Sequence, residues 1–208
     1  MFVRIIEAQV TDPARIRGQF EWWVSDVRPV MTGFLGSTAG VTEDGHLFLS
    51  MRFTSAGEAS DSFRLYEHDL WWKETEQLLD DVTFKDCTEV RTFGTEVSDE
   101  TRFVQVIQGR PLDAGRFTTI AERLDRELAP LRPDLIGGMH VTHPDGAFSD
   151  INHFTTEDEA RAGERRMNAS PSISALLREW DSLTTDVRYL DLREPWLISP
   201  RGKGRRWP

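Results

Sequence analysis

The chain switches repeatedly between a period-two and a helical pattern of apolar positions. Phe2 to Val10 is rich in aromatic and β-branched residues at its start, which suits a strand covered on both faces. Asp12-Pro13 follows as a helix cap and the residue best suited to the first helical position. Ile16, Phe20, Trp23 and Val27 then recur at helical spacing until Arg28-Pro29 stops the run. Met31 to Val41, interrupted by Gly33, Gly36 and Gly40, reads as a strand with a bulge or a close approach. The turn Glu43-Asp44-Gly45 returns it through Leu47, Phe48, Leu49, Met51 and Phe53. A helical region from Ala56 to about Leu79 comes next, with a break expected near His68-Asp69, and Val82 to Phe93 reads as a fourth strand.

The same order then repeats. Asp44-Gly45, Phe53-Thr54 and Glu58-Ala59 recur as Asp145-Gly146, Phe154-Thr155 and Glu159-Ala160, each 101 positions later. In both copies a Ser or Thr (Ser55, Thr156) stands three residues before a Glu, the signature of a capping box. Phe103 to Gln108 matches the first strand, and Phe117, Ile120, Ala121, Leu124, Leu128 and Leu131 give the second copy a cleaner helical stripe, ended at Arg132-Pro133. Leu135 to Thr142, Phe148 to Phe154, a helical stretch broken at Ser170-Pro171, and Tyr189 to Leu192 complete it. The order β-α-β-β-α-β, written twice, predicts an α+β protein of two ferredoxin-like units: residues 1–97, a linker at 98–101, residues 102–194, and a tail at 195–208. Each unit would fold as an antiparallel sheet with its helices on one face. Apolar residues on the other face predict that the two sheets cover each other, as an intramolecular pseudo-dimer that is a monomer or a homodimer overall.

Composition narrows the partners. With 38% hydrophobic and 29% charged residues the chain is ordinary for a globular protein. A formal charge of −10 argues against nucleic acid or an anionic membrane as a partner. No stretch of 18 apolar residues and no signal-like start occur, which places the chain in the cytosol. Cys87, the single cysteine, allows no internal disulfide and reads as a small hydrophobe in a strand. The last residues depart from the rest: Arg201, Lys203, Arg205 and Arg206 are all basic, so this segment could lie over the acidic body and close a pocket with Trp196 or Trp207.

The hairpin, the Phe-Thr-x-x-x-Glu-Ala helix start, and Glu67-His68-Asp69-Leu70-Trp71-Trp72 with the Leu-Leu-Asp-Asp after it resemble the dimeric α+β barrel superfamily. Within it they are most similar to antibiotic-biosynthesis-monooxygenase-like domains, in the fused two-unit form found among uncharacterised actinobacterial members. The resemblance implies a pocket between the sheet and helices of a unit, used in that superfamily for cofactor-free oxygenation of phenols or for haem.

The candidate chemistry follows from that pocket. Trp22, Trp71 and Trp72, with Trp23, could form aromatic walls, although helical spacing also points Trp23 and one of Trp71 and Trp72 at the sheet as core. A two-residue turn at Asp145-Gly146 would put His140 and His153 on one face as diagonal neighbours, with His143 on the other face beside Phe148, Asp150 and Asn152; a three-residue loop would reverse this. Arg52 takes the place of His153 in the first copy. The expectation is a small-molecule enzyme of monooxygenase-like class without metal or flavin, with His153 or His140 as base, Asn152 as a further catalytic candidate, and the working pocket in the second unit. His68 reads as part of a solvated turn, with a haem ligand as the looser alternative. The alternative of a different class is a non-catalytic, haem- or small-molecule-binding or stress-related module using the fold as a scaffold.

Overall fold

The computed structural model describes residues 1–94 and 100–199. Part of the expected linker (98–99) and the basic residues Arg201, Lys203, Arg205 and Arg206, with Trp207, lie outside the described residues. The elements run β1 (Phe2–Val10), α1 (Pro13–Trp22), β2 (Phe34–Val41), β3 (His46–Phe53), α2 (Ala56–Phe63), α3 (Tyr66–Thr75), β4 (Leu79–Cys87), β5 (Glu89–Gly94) and β6 (Phe103–Pro111). They continue as α4 (Ala114–Leu128), β7 (Leu135–Thr142), β8 (Phe148–Phe154), α5 (Glu157–Ala169), α6 (Pro171–Ser182), β9 (Thr184–Leu192) and β10 (Trp196–Ile198). The protein is α+β, with two five-stranded sheets, ordered β10-β2-β3-β1-β4 and β5-β7-β8-β6-β9. Among the described residues no helix is long and apolar enough to cross a membrane.

The chain divides into two compact units, one of residues 1–90 with the described residues from Glu194 onward, the other Arg91–Arg193. The two copies start their helices identically. Asp12 and Asp113 cap α1 and α4 by accepting from the backbone N–H three residues on, at 3.1 and 3.0 Å. Ser55 and Thr156 do the same for α2 and α5, both at 3.2 Å. The capping box is half formed in α5: the Glu159 carboxylate accepts from the Thr155 and Thr156 hydroxyls. Register irregularities recur too, between Glu7 and Gln9 in one copy and between Gln108 and Arg110 in the other.

Each unit buries one sheet face under its helices. In the first, Ile16, Phe20, Trp23 and Val27 pack on Phe2, Ile6, Leu49, Met51 and Phe53, as the helical stripe predicts. The stripe continues past α1 through a π turn, Trp23–Val27. In the second, Phe117 lies on Phe148 with ring centroids 4.8 Å apart, and Ile120 and Leu124 pack on Leu176 and Leu183. Pro171 opens α6 as its first residue, so the interruption at Ser170-Pro171 makes two helices.

Three expectations change. The break in the first unit's helical region falls at Arg64-Leu65, where Leu65 is extended (φ −63°, ψ 143°), and His68 lies inside α3. The stretch expected as one fourth strand is two, β4 and β5, and β5 pairs beside β7 in the second sheet. Conversely, the start of the expected tail forms β10, whose Trp196 and Ile198 pair with Ala39 and Ser37 of β2. Trp196 is buried against Phe20, at a centroid distance of 5.2 Å.

Gly36 makes room for β10. Its φ is +134°, and a Cβ there would stand 2.6 Å from the Ile198 carbonyl oxygen. Gly36→Ala is therefore expected to cost more than about 1 kcal/mol and to release β10, seen as a lower denaturation midpoint with faster amide exchange at residues 196–198. Unchanged exchange there would show that the close approach is not needed.

Candidate functional site

The first unit has a cleft of about 200 Å³ on the helix-covered side of its sheet, lined by Arg4, Ile6, Phe63, His68, Asp69, Trp72 and Phe84. Strand alternation and register deliver these residues. Arg4 and Ile6 lie on one face of β1, and β4 pairs antiparallel with it so that Asp86 stands opposite Arg4 and Phe84 opposite Ile6. Phe63 ends α2; His68, Asp69 and Trp72 share one side of α3 at i, i+1 and i+4.

The walls form a continuous aromatic chain. Ring centroids are 5.0 Å apart for Phe63 and His68, 5.6 Å for His68 and Trp71, 5.8 Å for Trp71 and Trp72, and 5.4 Å for Trp72 and Phe84. Trp71 packs against His68 and Trp72 from the core. It is 4% exposed, and its indole N–H donates to the Gln19 carbonyl at 2.7 Å, tying α3 to α1. Loss of a core aromatic of this kind costs about 3–5 kcal/mol. Trp72 is half-buried and Phe84 is 51% exposed, so the aromatic surface reaches solvent at the mouth.

Two polar groups meet in this apolar setting. The Arg4 guanidinium lies 4.1 Å from the Phe63 ring centroid. Its Nε and Nη2 donate to the two carboxylate oxygens of Asp86 at 2.6 and 2.7 Å. His68 has ring contacts with Phe63 and Trp71, and among the described residues no hydrogen-bond partner for either ring nitrogen. Burial, reinforced by the Arg4 charge and opposed by Asp69, lowers the His68 pKa to about 4. The imidazole is thus neutral at pH 7, with one nitrogen a donor and the other an acceptor.

Of the residues singled out from sequence, Trp72 lines the cleft, and Trp71 is not in its lining but packs against His68 and Trp72. Trp22 is half-buried at the edge of the same core. Arg52 lies elsewhere: it pairs with Val3 on the face of the sheet away from α1–α3, is 4% exposed, and donates to the Leu35 carbonyl at 3.4 Å. His153 occupies the matching position in the second unit, opposite Val104. The sequence reading missed Arg4, Phe63 and Phe84. A lone arginine within the apolar run Phe2-Val3-Arg4-Ile5-Ile6 was the available signal, since an unpaired charge is not buried in such a strand without a purpose or a partner.

The second unit's histidines are sorted by its hairpin. The His143 N–H donates to the Ala147 carbonyl at 2.8 Å, leaving a three-residue loop, 144–146, with Gly146 at φ +83°. His140 consequently pairs with Asp150, and it shares the helix-covered face with Asp150 and Asn152. His153 and His143 lie on the opposite face, so His140 and His153 are not neighbours. His140 Nδ1 is 2.7 Å from Asp150 Oδ1, and its ring stacks on Phe148 at 5.7 Å. Burial, with the Asp150 charge, pushes the Asp125 carboxyl up. His143 is 2.9 Å from the Ser149 hydroxyl, buried with it. No group of three metal-ligating side chains occurs among the described residues.

The positions matching the first unit's cleft are filled differently in the second. Gln105, opposite Asp191, stands where Arg4 stands, and Tyr189, opposite Ile107, where Phe84 stands. Gln105 donates to Asp191 at 3.1 Å, and Arg161 bridges Asp191, Glu164 and Glu157. At these two positions the second copy thus has an amide and a phenol where the first has a guanidinium and a phenyl ring.

The lowered His68 pKa carries a sign. The ring takes up a proton more readily in the unfolded chain (pKa near 6.5), so stability is full above that value and falls as pH drops towards about 4. His68→Gln should show a shallower loss of stability over this interval, and the His68 ring resonances should titrate with a midpoint near 4; a midpoint near 6.5 would contradict the burial.

No family model matches the chain, and no curated protein does. Solved structures match over its whole length. A provisionally assigned monooxygenase of Fusobacterium nucleatum superposes with a TM-score of 0.77 at 9% identity, over 100% of this chain and 98% of that one. One from Lactobacillus acidophilus gives 0.71 at 14% identity, over 95% and 99% of the two chains. An anthrone oxidase-like protein gives 0.70 at 10% identity, over 100% and 96%. At these identities the likeness establishes architecture alone: the chain has an α+β, ferredoxin-like fold with two antiparallel sheets.

Proposed function

We propose that the first unit binds a small aromatic or conjugated molecule in its cleft and acts on it as a monooxygenase-like enzyme. The observation that carries this is His68, a neutral imidazole whose ring nitrogens have no partner among the described residues, on the wall of a cleft it shares with Phe63, Trp72, Phe84 and Arg4. The volume, about 200 Å³, is below the ~300–1,000 Å³ of pockets for drug-sized ligands, which suits one or two fused rings. The anthrone oxidase-like structural neighbour is consistent with a phenolic or enolisable ketone substrate.

On such a substrate the two polar groups divide the work. His68 accepts the acidic proton, and Arg4 faces the oxyanion left behind. That anion offsets both the Arg4 charge and the burial that depress the imidazole, so its basicity rises when the substrate is bound. The deprotonated phenol then serves as the reductant of dioxygen: the ring carbon beside its C–O group exchanges its hydrogen for one oxygen atom and becomes a carbonyl, giving an ortho-quinone, and the second oxygen atom leaves as water. The low polarity of the walls keeps bulk water from competing.

A second reading places the acid–base group in the other unit, on His140, held at 2.7 Å by Asp150 with Asn152 on the same face. The measurements separate these. Titration with 2-naphthol should quench tryptophan fluorescence saturably, and Trp72→Ala should weaken binding about tenfold, near 1.4 kcal/mol. Oxygen uptake on a panel of hydroxylated one- and two-ring aromatics should disappear in His68→Gln and persist in His140→Asn; the reverse pattern moves the site to the second unit. Saturable binding without oxygen uptake makes the protein a non-catalytic binder, and absence of both overturns the aromatic cleft.

A further inference from the structure

Resting on the aromatic cleft, we propose that this site selects its ligand as an anion, with Arg4 Nη1 receiving the carboxylate, phenolate or enolate oxygen. Arg4 uses Nε and Nη2 on Asp86 and has its Cζ over the Phe63 ring, which holds the guanidinium from two sides. Among the described residues Nη1 has no partner in the protein, and Arg4 lines the cleft. A side chain already held in place loses little freedom when it takes a further bond.

The rest of the lining supports one sign of charge. Ile6, Phe63, Trp72 and Phe84 are apolar, and the Asp69 carboxylate, 57% exposed, is engaged by Lys73 at 2.9 Å. Neutral His68 offers a donor to the same ligand oxygen or an acceptor to its hydroxyl. A hydrocarbon or an uncharged amide of the same shape would cover Nη1 without a charge-assisted bond, whereas an anion supplies one. A cation would face the fixed charge of Arg4.

The second copy shows what the arginine adds. Gln105, at the matching position, reaches the matching aspartate, Asp191, at 3.1 Å. One amide therefore suffices to tie these strands together. The guanidinium makes the same tie and has a nitrogen left over, which is the part available to a ligand.

The test compares 2-naphthoate with 2-naphthamide, of the same shape and different charge, on the full chain at pH 7. Wild type should bind naphthoate at least about tenfold more tightly, as expected for one charge-assisted pair. In Arg4→Gln, which copies Gln105, the preference should collapse to within about twofold, and in Arg4→Lys, which keeps the charge and loses the fork, it should be partly retained. Circular dichroism and the denaturation midpoint of each variant establish that it is folded. Equal affinities in wild type, or a preference that survives in folded Arg4→Gln, overturn the inference while leaving an aromatic cleft intact. Failure of both probes to bind wild type overturns the inference and the cleft reading together.

Discussion

In each hairpin, the relative facing of the two strands is held by a loop closed on one glycine. Gly45 and Gly146 both sit at φ +83°, closing three-residue loops between β2 and β3 and between β7 and β8. A strand has period two, so one residue more or less in the loop exchanges every side chain between faces. Both loops are also anchored from the neighbouring strand, by Gln9 on the Asp44 carbonyl at 2.8 Å and by Arg110 on the Asp145 carbonyl at 2.6 Å. With the parity held this way, Leu49, Met51 and Phe53 join the helix-side core of the first unit, and His140, Asp150 and Asn152 take the equivalent face of the second. The helix-side placement of His140, Asp150 and Asn152 depends on it.

Duplication then let the two copies part. The backbone devices agree closely: helix caps at Asp12 and Asp113 and at Ser55 and Thr156, and left-handed aspartates at Asp81 and Asp186 (φ 53° and 56°) in β4 and β9. The side chains between sheet and helices do not. One copy lines this space with Phe63, His68, Trp72 and a guanidinium, Arg4; the other sets His140, paired with Asp150, among Phe117 and Phe148 and carries an ion-pair network around Arg161. Caps and turns respond to neighbours in sequence, so they survive divergence, whereas pocket lining depends on contacts between distant segments and is free to change when one copy suffices.

The same distinction explains what could be read from the residues alone. Helix starts, the stripes Ile16-Phe20-Trp23-Val27 and Phe117-Ile120-Leu124, and the two helices meeting at Pro171 are local signals and were legible. The break before α3 was displaced because His68-Asp69 looks like a solvated turn, while the true break depends on Leu65 packing against the core. β5 and β10 were unreadable as separate strands of their sheets: period-two patterning marks a strand without naming its partner, and both pair with segments remote in sequence. The cleft failed for the same reason, since Arg4, Phe63, His68 and Phe84 converge only through the β1–β4 register and the placement of α2 and α3.

The central claim is that a ligand belongs beside His68 in the first unit, and a heavy-atom probe tests it most directly. Crystals soaked with 6-bromo-2-naphthol should show an anomalous bromine peak in the cleft between Phe63 and Trp72, with the naphthol oxygen within hydrogen-bonding distance of Arg4 or His68. Bromine confined to the second unit near His140, or a cleft that stays empty while the probe binds elsewhere, would contradict the account.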